Sequence, residues 1–286
     1  MEENIRVILT NKYNLPETFV KVVRESIYVK SDAYSATELL NPTRMIILQR
    51  RYDDEIEADV SDYIPQILGT GVHEAFERVD TDGDTEQRLE YEIAPNIKIS
   101  GKYDKVLGYT LMDYKTTTVS KVQRGDFDDY KKQALIYAWL RYKNGMHTAR
   151  AEFYVIMKDW SKMRRVNDPN YPETALYIWR HNIIPEDIIE IERYIMRKVN
   201  HIKEYENSSD DKLPMCTDEE RWYTGDSYAV MRQGGLRAIK IYDNPTDANN
   251  HIQGKNDLYV EARTGINIRC EHYCEVREYC PFGRIK

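Results

Sequence analysis

Long hydrophobic runs are absent. Nothing in the 286 residues approaches the roughly 18–20 apolar positions of a membrane span, which excludes a membrane-spanning protein. Met1 to Thr10 holds no apolar signal-peptide core, so secretion is disfavoured and a cytoplasmic location is expected. Positive charge is in deficit: 41 Lys plus Arg stand against 48 Asp plus Glu, a net charge of −7. That excludes a uniformly basic coat for nucleic acid. It leaves room for a metal-holding site, which needs carboxylates, with phosphate contacts made locally. Phe and Trp are few, at 5 and 4, whereas Tyr occurs 23 times; tyrosines fill half-buried surfaces or stack on bases. Cysteine is scarcest and late: Cys216, Cys270, Cys274 and Cys280. In a chain that is not secreted these are expected to be reduced thiols rather than disulfides. No internal repeat, low-complexity segment, helix-turn-helix or zinc-finger pattern is present, so sequence-specific readout has no support.

What is present is a change of period along the chain. The first 63 residues read as a helical N-terminal segment. Pro16 stands at a first helical turn, Ser35 and Glu38 form an S-x-x-E capping pattern, and Pro42 restarts a helix carrying Met45 to Leu48. Another helix is predicted from Ile64-Pro65 through His73 to Phe76. Gln87–Ile93, Ile97–Leu107 and Tyr109–Tyr114 then alternate as an antiparallel meander, with turns at Pro95-Asn96 and Gly108. From Asp126 to Arg141 the period is helical again, with Tyr130, Ala134, Tyr137, Ala138 and Arg141 on one broad face. Strands are expected at Ala151–Met157 and Ala175–Trp179, and a long helix from Pro185 to about Tyr205. Asn207 to Asp211 reads as a linker. The expected division is thus a helical segment over 1–63, a core over 64–206, and a cysteine-containing extension over 207–286.

The chemistry concentrates in Gly101-Lys102-Tyr103-Asp104 and Asp113-Tyr114-Lys115-Thr116. Two residues apart on a strand, Asp113 and Lys115 project to the same face. Such a pair is either a simple ion pair or part of a site where carboxylates and a histidine chelate a hard divalent cation. A cation of that kind polarises a phosphodiester and lowers the pKa of bound water, while a lysine orients the nucleophile or offsets developing charge.

The order of four motifs carries a resemblance: Gly71-Val72-His73, Gly101-Lys102-Tyr103-Asp104, Asp113-Tyr114-Lys115-Thr116, and Gln133 to Tyr137. Together they resemble the RecB-like branch of the PD-(D/E)xK nuclease superfamily, with its helix histidine, G-x-x-D strand, D-Y-K-T strand and Q-x-x-x-Y helix. The likeness extends over most of residues 35–280, with its core at 70–140, and includes phage-encoded exonucleases. It implies an α/β fold: a restriction-endonuclease-like core, that is a central mixed β-sheet flanked by helices, with a helical N-terminal segment and a metal-stapled C-terminal extension. It implies a Mg2+- or Mn2+-dependent deoxyribonuclease acting on DNA with a free end. Phage recombination, repair or degradation is the implied setting, in the infected host cell, with a recombination or replication protein as partner. His73, Asp104, Asp113 and the main-chain carbonyl of Tyr114 would hold the metal, and Lys115 would be the catalytic lysine. Gln133 and Tyr137, i,i+4 on one helix, would contact the DNA backbone or support that lysine. Glu74 and Glu77 are read as solvated-face residues.

Cys270, Cys274 and Cys280 have the spacing C-x3-C-x5-C, which suits either tetrahedral zinc or an iron–sulfur cluster. Iron–sulfur relatives place one cysteine before the nuclease core and three after it. Here Asn41 stands at the upstream position, and Cys216 is the candidate fourth ligand to a 4Fe–4S cluster, with zinc as the alternative and His272 or His251 as substitute ligands for it. The site would be a staple tying residues 211–286 to the core. Arg44, Arg50, Arg51, Lys131 and Lys132 are candidate phosphate contacts, and Tyr103, Tyr114 and Tyr130 candidate stacking surfaces for an unpaired base. Two alternatives share the fold: a catalytically silent DNA- or protein-binding module, and a CRISPR-adaptation-type processing nuclease. Retention of Asp104, Asp113 and Lys115 favours catalysis.

Overall fold

The structure, a computed structural model, describes residues 7–27, 32–79 and 82–283. Contacts divide the chain into two units, Met1–Asn41 with Asp53–Glu206, and Pro42–Tyr52 with Asn207–Lys286. The elements begin with β1 (Ile8–Thr10), α1 (Glu17–Ser26), β2 (Tyr34–Ser35), α2 (Thr43–Arg51), β3 (Glu57–Asp59) and α3 (Ile64–Glu77). Then follow β4 (Asp84–Thr85), β5 (Arg88–Ala94), β6 (Ile97–Lys102), β7 (Lys105–Leu107) and β8 (Thr110–Thr117). Next come α4 (Val119–Arg124), α5 (Asp128–Lys143), β9 (Arg150–Met157), α6 (Lys162–Asn167), β10 (Leu176–Asn182) and α7 (Pro185–Tyr205). The last are α8 (Asp218–Arg221), β11 (Ser227–Arg232), β12 (Ala238–Tyr242), α9 (Pro245–Ile252) and β13 (Leu258–Arg263).

The capping pattern at residue 35 is real and reciprocal: Ser35 Oγ accepts from Glu38 N–H at 3.0 Å, and Glu38 Oε2 accepts from Ser35 N–H at 3.3 Å. It closes the turn that leads into a single 3-10 turn, Glu38–Leu40, whose own N-cap Thr37 makes no side-chain cap. The stretch before residue 64 is less helical than its residues suggest. β1 pairs in parallel with β3, and β2 with β6. Those strands are two or three residues long and owe their state to distant partners, which no local periodicity records.

In the first unit the central sheet has the order β10-β9-β8-β7-β4. β8 and β9 are parallel and the other pairs antiparallel. Asp113 is registered with Phe153 and Tyr114 with Tyr154, so alternation sends Asp113, Lys115 and Phe153 to one face and both tyrosines to the other. Tyr130 of α5 stacks on Phe153 with centroids 5.2 Å apart. Phe76 of α3 stacks on Tyr114 at 4.2 Å. Helices therefore lie on both faces, and the fold is α/β with a mixed sheet flanked by helices. α5 is buried on every side from Gln133 to Arg141, not on one face alone, because it packs on β5, β6 and α7 together.

The expected meander breaks after Lys102. β5 and β6 join β2 in a separate three-stranded sheet, β2-β6-β5, while β7 turns back on β8. Asn96 and Gly108 make the reversals at positive φ, +62° and +59°. Asp104 thus lies in the break before β7 rather than on a strand beside that of Asp113. Gly101 is fixed by proximity: a Cβ there would stand 2.8 Å from both Tyr137 Cδ1 and Leu140 Cδ1. Only glycine lets α5 come so near β6.

The second unit is built on α2, where Thr43 to Gln49 are all buried, and on the antiparallel sheet β12-β11-β13 with α9 packed against it. Arg44 is only 3% exposed. Its guanidinium donates to the carbonyls of Asp210 (3.0 Å), Pro214 (3.0 Å) and Leu213. That use removes Arg44 from the phosphate contacts anticipated for it. Arg51 is half-buried and bonds Asp210 and the Ser208 carbonyl; Arg50 is half-buried too. Among the described residues no helix is long and apolar enough to cross a membrane.

Candidate metal centre and active site

Asp104 is the hub of the site. Its Oδ2 accepts the backbone N–H of Tyr114 at 2.7 Å, which pins the break after β6 to strand β8. Its Oδ1 lies 3.1 Å from His73 Nδ1, on α3. That hydrogen bond raises the His73 pKa against an opposing effect of burial. One residue before Tyr114, Asp113 is 2% exposed. Its Oδ2 is 2.6 Å from Lys115 Nζ, yet that oxygen makes no well-formed hydrogen bond. Burial pushes the Asp113 carboxyl up to about 6; Lys115 pulls it down and Asp104 pushes it up again. A buried carboxylate with a single ammonium beside it, next to a second carboxylate, leaves negative charge that a cation would offset.

The donor geometry adds a residue that the motif reading did not contain. His73, Glu86 and Asp104 each offer a ligand atom within 4.8 Å of the other two. Asp113 does not join that group; it is turned to Lys115. Glu86 belongs to no motif and to no periodic segment of the sequence, and so carries no signal there. Its approach depends on the pairing of β4 with β7.

Gln133 and Tyr137 are buried, at 6% and 5% exposed, and Gln133 Nε2 donates to Tyr137 Oη at 2.8 Å. Burial raises the Tyr137 phenol, and the charges of Asp113 and Asp104 raise it further. The pair therefore backs the carboxylates from within; neither side chain is placed for direct contact with a DNA backbone. Tyr103 and Tyr130 are buried as well, at 1% and 7%, which removes both as stacking surfaces. Tyr114 is half-buried against Phe76. Lys131 Nζ is 3.8 Å from Asp187, and the exposed Lys132 stands 6.0 Å over the Tyr194 ring.

All four cysteines lie in the second unit, with free thiols. Burial pushes Cys216 up to about 12, helped by Glu220 and then by the other three thiols; Cys270 and Cys274 are raised likewise, burial first. Such thiols ionise only with a cation among them. Among the described residues no three of these sulfurs lie within 4.8 Å of one another. Tetrahedral zinc, about 2.3 Å from each sulfur, would set them roughly 3.8 Å apart. His251 Nδ1 is taken by Tyr242 Oη at 2.7 Å, and His272 is exposed.

No protein-family model matches the chain, and no curated protein matches it. Among solved structures it is similar to SSO0001, at 20% identity and a TM-score of 0.44, over 63% of this chain and 85% of that one. It is also similar to the alkaline exonuclease LHK-Exo of Laribacter hongkongensis, at 13% identity and a TM-score of 0.38, over 67% and 94% of the two chains. A phage-related exonuclease from Haemophilus somnus 129PT aligns at 12% identity and a TM-score of 0.38, over 57% and 79%.

Proposed function

We propose that the chain is a divalent-metal-dependent nuclease that hydrolyses phosphodiester bonds in DNA with a free end, of the RecB-like kind. One observation carries the reading. The Asp113–Lys115 pair at 2.6 Å and the His73–Asp104 pair at 3.1 Å are coupled through the Tyr114 N–H bond to Asp104. His73 and Asp104 stand together as residues that would hold Mg2+ or Mn2+; Asp113 and the Tyr114 carbonyl are the further ligands the motif implies, and Asp113 would have to turn from Lys115 to serve. When bound, the ion supplies Lewis acidity at the phosphate and an acidified water. Lys115 is a point charge on the Asp113 face, suited to orient the nucleophile or to offset charge developing on phosphorus. Gln133 and Tyr137 are positioning residues: their buried hydrogen bond fixes the wall behind the carboxylates. In the second unit, sulfurs of which no three lie within 4.8 Å of one another are wider than a single zinc requires, which favours a 4Fe–4S cluster over single zinc. A phage recombination or repair setting, with a protein partner, goes with this reading.

The test is digestion of end-labelled single- and double-stranded DNA with and without Mg2+ or Mn2+, with closed circular DNA as control. Metal-dependent release of nucleotides from linear DNA is expected. Intact DNA under all conditions would favour a binding module.

A further inference from the structure

Glu86 lies outside every helix and strand, yet its placement is over-determined. Its N–H donates to the Asp104 carbonyl at 2.9 Å, so the two ligand-bearing residues are joined through main chain. The strand before it, β4, pairs with β7, Asp84 with Val106 and Thr85 with Lys105. The residue after it, Gln87, accepts the Tyr103 hydroxyl, and Tyr103 is itself held by Arg141 Nη1 at 3.0 Å. Glu86 adopts φ +52°, in the left-handed region that side-chain-bearing residues enter at a cost. The result is a carboxylate brought to His73 and Asp104 and kept largely out of solvent, its side chain 20% exposed.

Two cations already stand at this end of the site. Lys115 neutralises Asp113, and Lys102, from the last position of β6, pairs with Glu86. Lys102 is the more exposed of the two, at 46% against 23% for its side chain. It is a long flexible point charge that can swing into water with little loss. The Lys102 ammonium therefore marks where positive charge is wanted and can leave when a stronger cation arrives.

We infer that Glu86 is a ligand of the divalent cation held at His73 and Asp104, and that Lys102 is the counter-ion a bound ion displaces. The inference rests on the metal-dependent reading above and adds to it a residue outside its motifs. One imidazole nitrogen with two carboxylates suits a cation that accepts both donor types, and Mn2+ is the natural probe. Because Asp113 stands apart from this group, Asp104 is the carboxylate common to both halves of the site.

Mn2+ binding to the full chain can be followed by the paramagnetic resonance of the free ion. Glu86→Gln keeps the shape and removes the charge; Mn2+ affinity is expected to fall at least about tenfold, with native circular dichroism. Lys102→Met removes the competing ammonium without touching a ligand and is expected to tighten Mn2+ binding severalfold. It also decides the matter should Glu86→Gln fail to fold. Wild-type Mn2+ affinity in either folded variant would overturn the assignment of Glu86. A wild-type chain that binds no Mn2+ at all would overturn the metal-dependent reading beneath it as well.

Discussion

At the scale of single residues the proposed metal site sets protons against a cation. Asp113, pushed up to about 6 by burial, holds its proton more tightly folded than unfolded. In the metal-free chain its contribution to stability is present below pH about 4 and is lost as pH rises through about 6. His73, raised by its bond to Asp104, holds a second proton that competes for the same site. A divalent ion must displace these protons, so Mn2+ affinity should weaken as pH falls from 8 through 6; a dissociation constant that is flat from pH 8 to 5 would contradict this. Lys115→Ala should abolish cleavage while DNA binding persists, since the lysine acts on the transition state. The same change removes what holds Asp113 down, so the Asp113 titration should move above about 6, measurable by carboxyl carbon resonance. Cleavage at the wild-type rate in Lys115→Ala would remove Lys115 from the mechanism. Much of this site was legible because strand alternation is local: Asp113 and Lys115 two apart must share a face. Glu86 was not, since main-chain bonding to Asp104, 18 residues further along the chain, leaves no periodic mark.

At the scale of elements, starts and stops written in caps and prolines matched the structure within a residue or two: α2 after Pro42, α3 at Ile64, α7 at Pro185. Pairing was less legible. The meander reading joined β6 to β7 because apolar residues continue through Tyr103, but Tyr103 is buried by Arg141 and Gln87 at a break between two sheets. The glycine and tyrosine of the two motifs prove to be partners in packing. Gly101→Ala forces a Cβ into Tyr137 and Leu140 and should cost about 1–3 kcal/mol, read by urea denaturation. The proposed DNA cleavage should fall with it, because Asp104 follows three residues later. Arg44 shows the opposite failure of local reading: a basic helix residue that looks solvated is buried among three carbonyls. Arg44→Ala should destabilise the second unit by on the order of 3 kcal/mol, with no change in the salt dependence of DNA binding. A smaller salt slope in that variant would instead restore the phosphate role.

At the scale of the whole molecule, the cysteine spacing was readable but the company the cysteines keep was not. All four belong with α2, from the far end of the sequence. A shared cluster would therefore join the segments of the second unit to one another. Purified without oxygen, the chain should be brown with broad visible absorbance, and Cys274→Ser should bleach it. Removing the iron should expose residues 207–283 to protease before residues 53–206; equal susceptibility would count against a structural cluster.

The same arrangement sets an order of events during synthesis. Arg44 donates to Leu213, 169 residues later. At about 5–20 residues per second, α2 emerges from the ribosome roughly ten to thirty seconds before its carbonyl partners exist. Through that interval Met45, Ile46, Ile47 and Leu48, all buried in the finished fold, have nothing of their own unit to cover them. The nascent chain thus carries an apolar helix well ahead of the partners of Arg44, and a chain terminated near residue 206 is expected to aggregate, read by light scattering against the full chain.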